Sequence, residues 1–261
     1  MTKLRALIWD VDGTLAETER DGHRVAFNKA FEEAGLPWRW DEEVYGQLLR
    51  VTGGKERIRH HWRQVDPEAA NQPDAADRVM ALHSLKTEHY LKGLRDGAVT
   101  LRPGVARVLA EARRAGVLLA IASTTSEVNV RELLQHTLGP HAWTWFDCVA
   151  AGDLVTRKKP SPDIYAWVLG RLAVRARECL AIEDSVNGVD SARAIGIPVV
   201  VTRSVYSADE DVGRVCADLT TLGDPESPAQ GVAFGRRVRG VIGLPDLERW
   251  HRRWVDAMAT A

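Results

Sequence analysis

Leu4-Arg5-Ala6-Leu7-Ile8-Trp9 runs straight into Asp10-Val11-Asp12-Gly13-Thr14, and the reading of this stretch decides the fold. The first six residues, Arg5 apart, are apolar and β-favouring, which predicts a buried strand. Two carboxylates one residue apart follow, and alternation along an extended chain sends both side chains to the same side. At the carboxyl end of a parallel strand, that side is where an open α/β sheet holds its ligand. Like charges this close cannot both stay ionised unaided, so the pair needs a cation or a bound proton. A hard divalent ion, most simply Mg2+, meets that need and attracts phosphate. Asp-Gly is also an ordinary turn signal, so the rest of the chain must decide between the two readings.

Working outward, residues 16–97 read as helices without an obvious strand. Val25, Ala26, Ala30, Phe31 and Ala34 form an apolar stripe that stops at Gly35, with Pro37 beyond it. Asp41 reads as the N-cap of a short helix through Leu48 and Leu49. Thr52-Gly53-Gly54-Lys55 interrupts the pattern before a further helix through Trp62, and a long helix runs from Pro73-Asp74 towards Leu94. From Pro103 the chain alternates helix and strand: helix 103–115, strand 117–122, helix 126–135, strand 146–149, helix 162–172, strand 179–182, a helix through Ala194 and strand 197–201. Such alternation signals a doubly wound α/β fold with a parallel sheet covered on both faces. The domain division read from this is 1–16 with 98–261 as the core, and 17–97 as an α-helical cap inserted after the first strand. The tail from Gly223 has a loop at Pro225 and Pro228 and a final helix from Leu244 to Met258.

Three more polar segments fall where the ligand edge of the sheet should be. Ser123-Thr124-Thr125-Ser126 leaves the second buried strand, and hydroxyls with backbone N–H groups at a helix start can cradle phosphate. The same residues also serve as a plain N-cap. Lys159 is pinned near the strand ends by Pro160, while Lys158 reads as its solvated neighbour. Glu183-Asp184-Ser185 puts a second acidic pair at a strand end, an arrangement that two solvated turns reproduce only by coincidence.

Together these segments resemble the four motifs of the haloacid dehalogenase superfamily, in order: Asp10 to Leu15, Ser123, Lys159-Pro160, and Glu183-Asp184 with Asn187-Gly188. Glu17-Thr18-Glu19, Asp21-Gly22-His23-Arg24, Thr52-Gly53-Gly54-Lys55-Glu56-Arg57, and Ser123-Thr124-Thr125-Ser126 with Asn129 are similar to the CbbY group within it. The resemblance implies a phosphatase acting on a sugar bisphosphate, xylulose 1,5-bisphosphate, and places β-phosphoglucomutase on the same branch. It also implies roles. Asp10 is the nucleophile that forms an aspartyl phosphate, and Asp12 is the general acid and base. Mg2+ is held by the Asp10 carboxylate, the Asp12 main-chain carbonyl and Asp184, with Glu183 a ligand directly or through water. Ser123, Thr124 and Asn129 bind the phosphoryl group and its surroundings, and Lys159 cancels charge and orients Asp10. Dehalogenation of a small acid needs one carboxylate nucleophile and neither a metal nor a second acid, so the paired acids argue against it.

The cap must choose the substrate. His83, Lys86 and Tyr90 share one polar face of the long helix. Lys55 follows two glycines, Gly53 and Gly54, whose backbone N–H groups can approach an anion. Glu17, an acceptor at the cap entry, suits sugar hydroxyls. His23 receives no role, because the mutase histidine lies one position earlier in its motif. Two alternatives stand beside the phosphatase: a hexose phosphate mutase, and a regulator that only binds phosphate ligands.

Composition sets the frame. With 261 residues, 45% of them hydrophobic, and a formal net charge of −1, the chain reads as a globular protein. No charge excess points to nucleic acid or a membrane surface. No secretory apolar segment or bilayer-length run is visible, so cytoplasmic residence is expected; a monomer is expected as well, though the sequence itself does not give the oligomeric state. The three cysteines, Cys148, Cys179 and Cys216, are too scattered for a metal pattern and read as buried thiols. The nine tryptophans are assigned to packing.

Overall fold

The protein is described by a computed structural model covering residues 2–259. Its centre is an eight-stranded sheet in the order β3-β2-β1-β4-β5-β6-β7-β8. The parallel strands are β1 (Ala6–Trp9), β2 (Leu118–Ala122), β3 (Cys148–Ala150), β4 (Cys179–Glu183), β5 (Val199–Thr202) and β6 (Ala217–Leu219). β1 lies in the middle, Ile8 opposite Ala120 on one side and Ala181 on the other. Alternation then sorts the side chains. Leu7, Trp9, Leu119, Ile121, Leu180 and Ile182 enter one core layer, while Ala6, Ile8, Ala120, Ala122, Cys179 and Ala181 enter the other. A sheet buried on both faces has to be apolar throughout, which is why these strands read as unbroken runs.

The helices cover those faces. α6 (Val105–Arg114) and α7 (Glu127–Leu138) contribute Val108, Leu109, Leu133 and Leu134 to the first layer. α8 (Asp163–Leu172) and α9 (Val186–Arg193) contribute Ile164, Val168, Val189 and Ala192 to the second. α7 runs past the predicted end at Gln135 and stops before Gly139.

Between β1 and α6 the chain forms a helical cap with a core of its own. A π-helical turn (Glu19–His23) leads into α1 (Arg24–Glu33), followed by α2 (Glu42–Leu48), α3 (Gly54–Val65), α4 (Pro67–Ala70) and α5 (Ala75–Arg95). Asp41 caps α2 by accepting from Val44 N at 2.8 Å, as the sequence indicates. Phe27, Phe31, Trp40, Tyr45, Ile58, Trp62 and Val79 pack together, so aromatic bulk builds the cap's interior.

The tail departs from the reading. It is not a loop and a helix alone. β7 (Ala229–Ala233) and β8 (Arg236–Gly240) extend the sheet antiparallel beyond β6, and α10 (Leu244–Ala259) packs Leu244, Leu247 and Trp250 into the first core layer. Phe234 and Gly235 both have positive φ, the twist a two-residue hairpin requires. Among the described residues, no helix is long and apolar enough to cross a membrane.

Candidate active site

The carboxyl ends of β1, β2 and β4 converge below the cap. After Trp9 the Asp10 N–H still bonds to Ile182 O at 3.0 Å, so the first acid is fixed by the sheet itself. The chain then turns through Gly13 at φ +85°, where a side chain would come within 2.4 Å of Asp184 Oδ2. Only glycine lets the first and last acidic strand ends meet this closely.

Asp10, Glu183 and Asp184 form a buried cluster in which one ligand oxygen from each lies within 4.8 Å of the others. Lys159 Nζ bridges Asp10 Oδ1 and Glu183 Oε1, each at 2.7 Å. The bridge lifts the lysine pKa despite burial. One ammonium does not offset three acids. Burial raises Asp10 well above the usual carboxylate range, and Glu183, Asp184 and Asp12 add to the effect against Lys159. Burial pushes Asp184 up to about 7, in spite of its bond to Ser204. Glu183 Oε2 is buried without a hydrogen-bond partner. An oxygen-rich pocket short of positive charge suits a hard divalent cation.

Asp12 faces a different environment. Burial works against its charge, but His23, Thr18 and Lys86 outweigh it and hold the carboxyl at about 2. Thr18 Oγ1 donates to Asp12 Oδ1 at 2.5 Å, and His23 Nε2 lies 2.9 Å from the same oxygen. Lys86 Nζ sits 2.8 Å from His23 Nδ1. An ammonium can only donate, so Nδ1 accepts and Nε2 carries the proton towards Asp12. Tyr90 stacks on the imidazole at 4.1 Å, and Gly22 makes room, since a Cβ there would sit 2.7 Å from that ring. His23 is therefore part of the site, which the sequence offset concealed. The π-helical turn takes up one extra residue and returns the histidine to Asp12.

Ser123 and Thr124 line a cavity of about 600 Å³ with Asp10, Asp12, Lys159 and Asp184. Asn129 donates to Thr125 Oγ1 at 3.1 Å and lines a second cavity with Gly53, Gly54, Lys55 and Lys86. The two cavities share Asp12, Glu19, Arg57 and Thr124. Two expectations land elsewhere. Glu17 is not among the residues that line either cavity; it pairs with the buried Arg102 guanidinium at 3.2 Å. Glu19, two residues on, lines the cleft in its place. It accepts from Tyr45 OH and lies 3.8 Å from Arg57, and Glu19 and Arg57 each stand inside a motif the sequence displayed. Lys158 is not simply solvated either. Its side chain is largely buried and bonds to Gly152 O and Asp153. None of the nine tryptophans lines either cavity.

Residues 4–196 match the family model of haloacid dehalogenase-like hydrolases. The plasmid-encoded CbbY of Cupriavidus necator is 46% identical over 248 residues, covering 95% of this chain and 97% of that protein. A crystal structure of Rhodobacter sphaeroides CbbY, an aspartate-to-asparagine variant in complex with xylulose 1,5-bisphosphate, superimposes with a TM-score of 0.76 at 42% identity. It covers 81% of this chain and 92% of its own. A β-phosphoglucomutase from Clostridium difficile shares the fold at a TM-score of 0.71 and 16% identity, over 97% of this chain and 99% of its own.

Proposed function

The chain belongs to the haloacid dehalogenase-like hydrolases and is a sugar phosphatase of the CbbY group; from that premise we propose that it hydrolyses a pentulose bisphosphate such as xylulose 1,5-bisphosphate, with Mg2+, through an aspartyl phosphate at Asp10. The observation that carries this reading is the cleft's two-ended charge. Lys159 and the acid cluster line one cavity, Lys55 and Lys86 line the other, and Asp12 and Arg57 line both. A substrate with one phosphate uses one end only. We take 17–97 as the cap and 1–16 with 98–261 as the core, in a monomer; three free buried cysteines suit a reducing compartment such as the cytoplasm.

The Asp10 carboxylate attacks phosphorus, forming the acyl phosphate as the P–O bond to the sugar breaks. Lys159 keeps the attacking carboxylate aimed and shields it from Glu183. Ser123 and the backbone N–H groups after it receive phosphoryl oxygens. Asp12 gives a proton to the departing sugar oxygen and takes one from the water that cleaves the acyl phosphate. A dianion arriving beside Asp12 favours its protonated form by like-charge repulsion, the form the first half-reaction needs, and once that proton is given up the carboxylate is ready to act as base in the second. Asp10, Asp184 and the Asp12 carbonyl, with Glu183, would hold Mg2+, and that ion would supply positive charge for the phosphoryl oxygens.

Released phosphate across a panel of sugar mono- and bisphosphates tests the reading; a preference for monophosphates, or conversion of glucose phosphate to an isomer, overturns it. Asp12→Ala should slow turnover by roughly 10²–10⁴-fold, the usual worth of general acid–base help. Less than about tenfold in a stopped-flow phosphate assay counts against that role. Lys55→Ala should lower kcat/KM for the bisphosphate about tenfold or more, the value of a charge-assisted contact, and barely touch phosphoglycolate. An equal fall for both substrates assigns Lys55 to cap integrity instead.

A further inference from the structure

If Lys55 meets the second anionic group of the substrate, as the preceding reading has it, then another anion holds it beforehand. Asp153 lies in the short turn Gly152–Leu154 after β3, on the core side of the cleft. Lys55 Nζ, from the cap, donates to Asp153 Oδ2. Lys158 Nζ, from the core, donates to Asp153 Oδ1 at 2.7 Å and to Gly152 O at 2.5 Å. Both oxygens of one carboxylate are thus taken, one by a lysine from each side of the cleft. All three residues line the second cavity, about 70 Å³, where Arg57 and Lys86 add further positive charge. The two lysines hold Asp153 at about 2, so it is charged at any working pH. Its side chain is 63% exposed, so it can release Lys55 and remain hydrated beside Lys158.

We propose that Asp153 is a specificity-determining residue: a built-in anion that occupies Lys55 and gives it up only to a substrate group more negative than a carboxylate. The exchange energies follow from charge. If Lys55 trades Asp153 for a hydroxyl it loses an ion pair, and if it trades for another carboxylate it gains nothing. A phosphate ester carries nearly twice the charge at neutral pH, so Coulomb attraction favours that trade. The contact therefore sets a threshold that neutral and singly charged tails do not pass.

The test is Asp153→Asn, which keeps the shape and removes the charge. The substrates are xylulose 1,5-bisphosphate, 6-phosphogluconate with its carboxylate tail, and glucose 6-phosphate with a neutral one. The wild-type protein should treat the two monophosphates alike. In Asp153→Asn, KM should fall about two- to fivefold for the bisphosphate and for 6-phosphogluconate, the size of one partly exposed ion pair. Glucose 6-phosphate should not change. In a Lys55→Ala background the same substitution should change none of the three. Equal shifts for all substrates, or shifts that persist without Lys55, overturn the proposal and make Asp153 a structural tether. If the wild type prefers the bisphosphate and Asp153→Asn leaves its KM unmoved, this inference alone falls. If the wild type shows no bisphosphate preference, the reading of the cleft falls with it.

Discussion

Asp10→Asn should reduce turnover of every phosphate ester by roughly 10⁴-fold or more, the scale seen when a covalent nucleophile is removed. An amide oxygen is a poor nucleophile, and the substitution deletes one carboxylate of the buried acid cluster as well. The fold should survive. The backbone bond from residue 10 to Ile182 O does not involve the side chain, and an amide oxygen can still accept from Lys159. Stability should hold or rise, since Asp10 is buried and repelled by Glu183, Asp184 and Asp12. The pair of measurements is a single-turnover assay with acid quench and a melting curve. Activity above about a hundredth of wild type, in protein free of other phosphatases, removes Asp10 as the nucleophile. Lost activity with a collapsed melting transition makes it a structural residue.

Thorough chelation should bring turnover to background, and Mg2+ should restore it. The cluster's charge imbalance is the reason: Asp10, Glu183 and Asp184 face one lysine, and burial already drives Asp10 and Asp184 towards their protonated forms. A divalent ion held there would offset that imbalance and keep Asp10 ionised, the form proposed to attack. Asp184→Ala should weaken Mg2+ binding by titration calorimetry more than it lowers the melting temperature. Activity that persists after chelation, with no measurable Mg2+ binding, gives the acid cluster another purpose.

Asp10, Ser123 and the Glu183-Asp184 pair were legible because each is written at the end of an apolar run, and Lys159 because a proline follows it. A run such as Leu118 to Ala122 has one exit, and Ser123 stands at it. The selective end was harder. Glu19 and Glu17 are the same residue type two positions apart, and only the path of the π-helical turn decides which one reaches the cleft. His23 was hidden by the same turn. In the tail, β8 reads Arg236-Arg237-Val238-Arg239-Gly240, and an edge strand half in water has no apolar run to display. Its hairpin carries Phe-Gly, where Asn-Gly would have announced the turn. Asp153 has no sequence signal, since its meaning comes from Lys55, 98 residues away.

Arg102 has a dynamic consequence. Its guanidinium donates to the carbonyls of Gly13, Thr202, Arg203 and Thr220 and pairs with Glu17, while its own N–H bonds to Leu15 O at 2.9 Å. Beside it, Ala16 and Leu101 bridge the two connections through which the chain enters and leaves the cap. Both ends of the cap are therefore anchored side by side, so any opening would be a swing about that point. Lys55 travels on an arm of fixed length. If the substrate is a bisphosphate, as proposed, then with its first phosphate seated beside Asp10 the second would meet a tethered partner at a high effective concentration. On the proposed reading such an arm would measure the spacing between two phosphates, so that chain length, as well as charge, becomes a quantity the cleft can read.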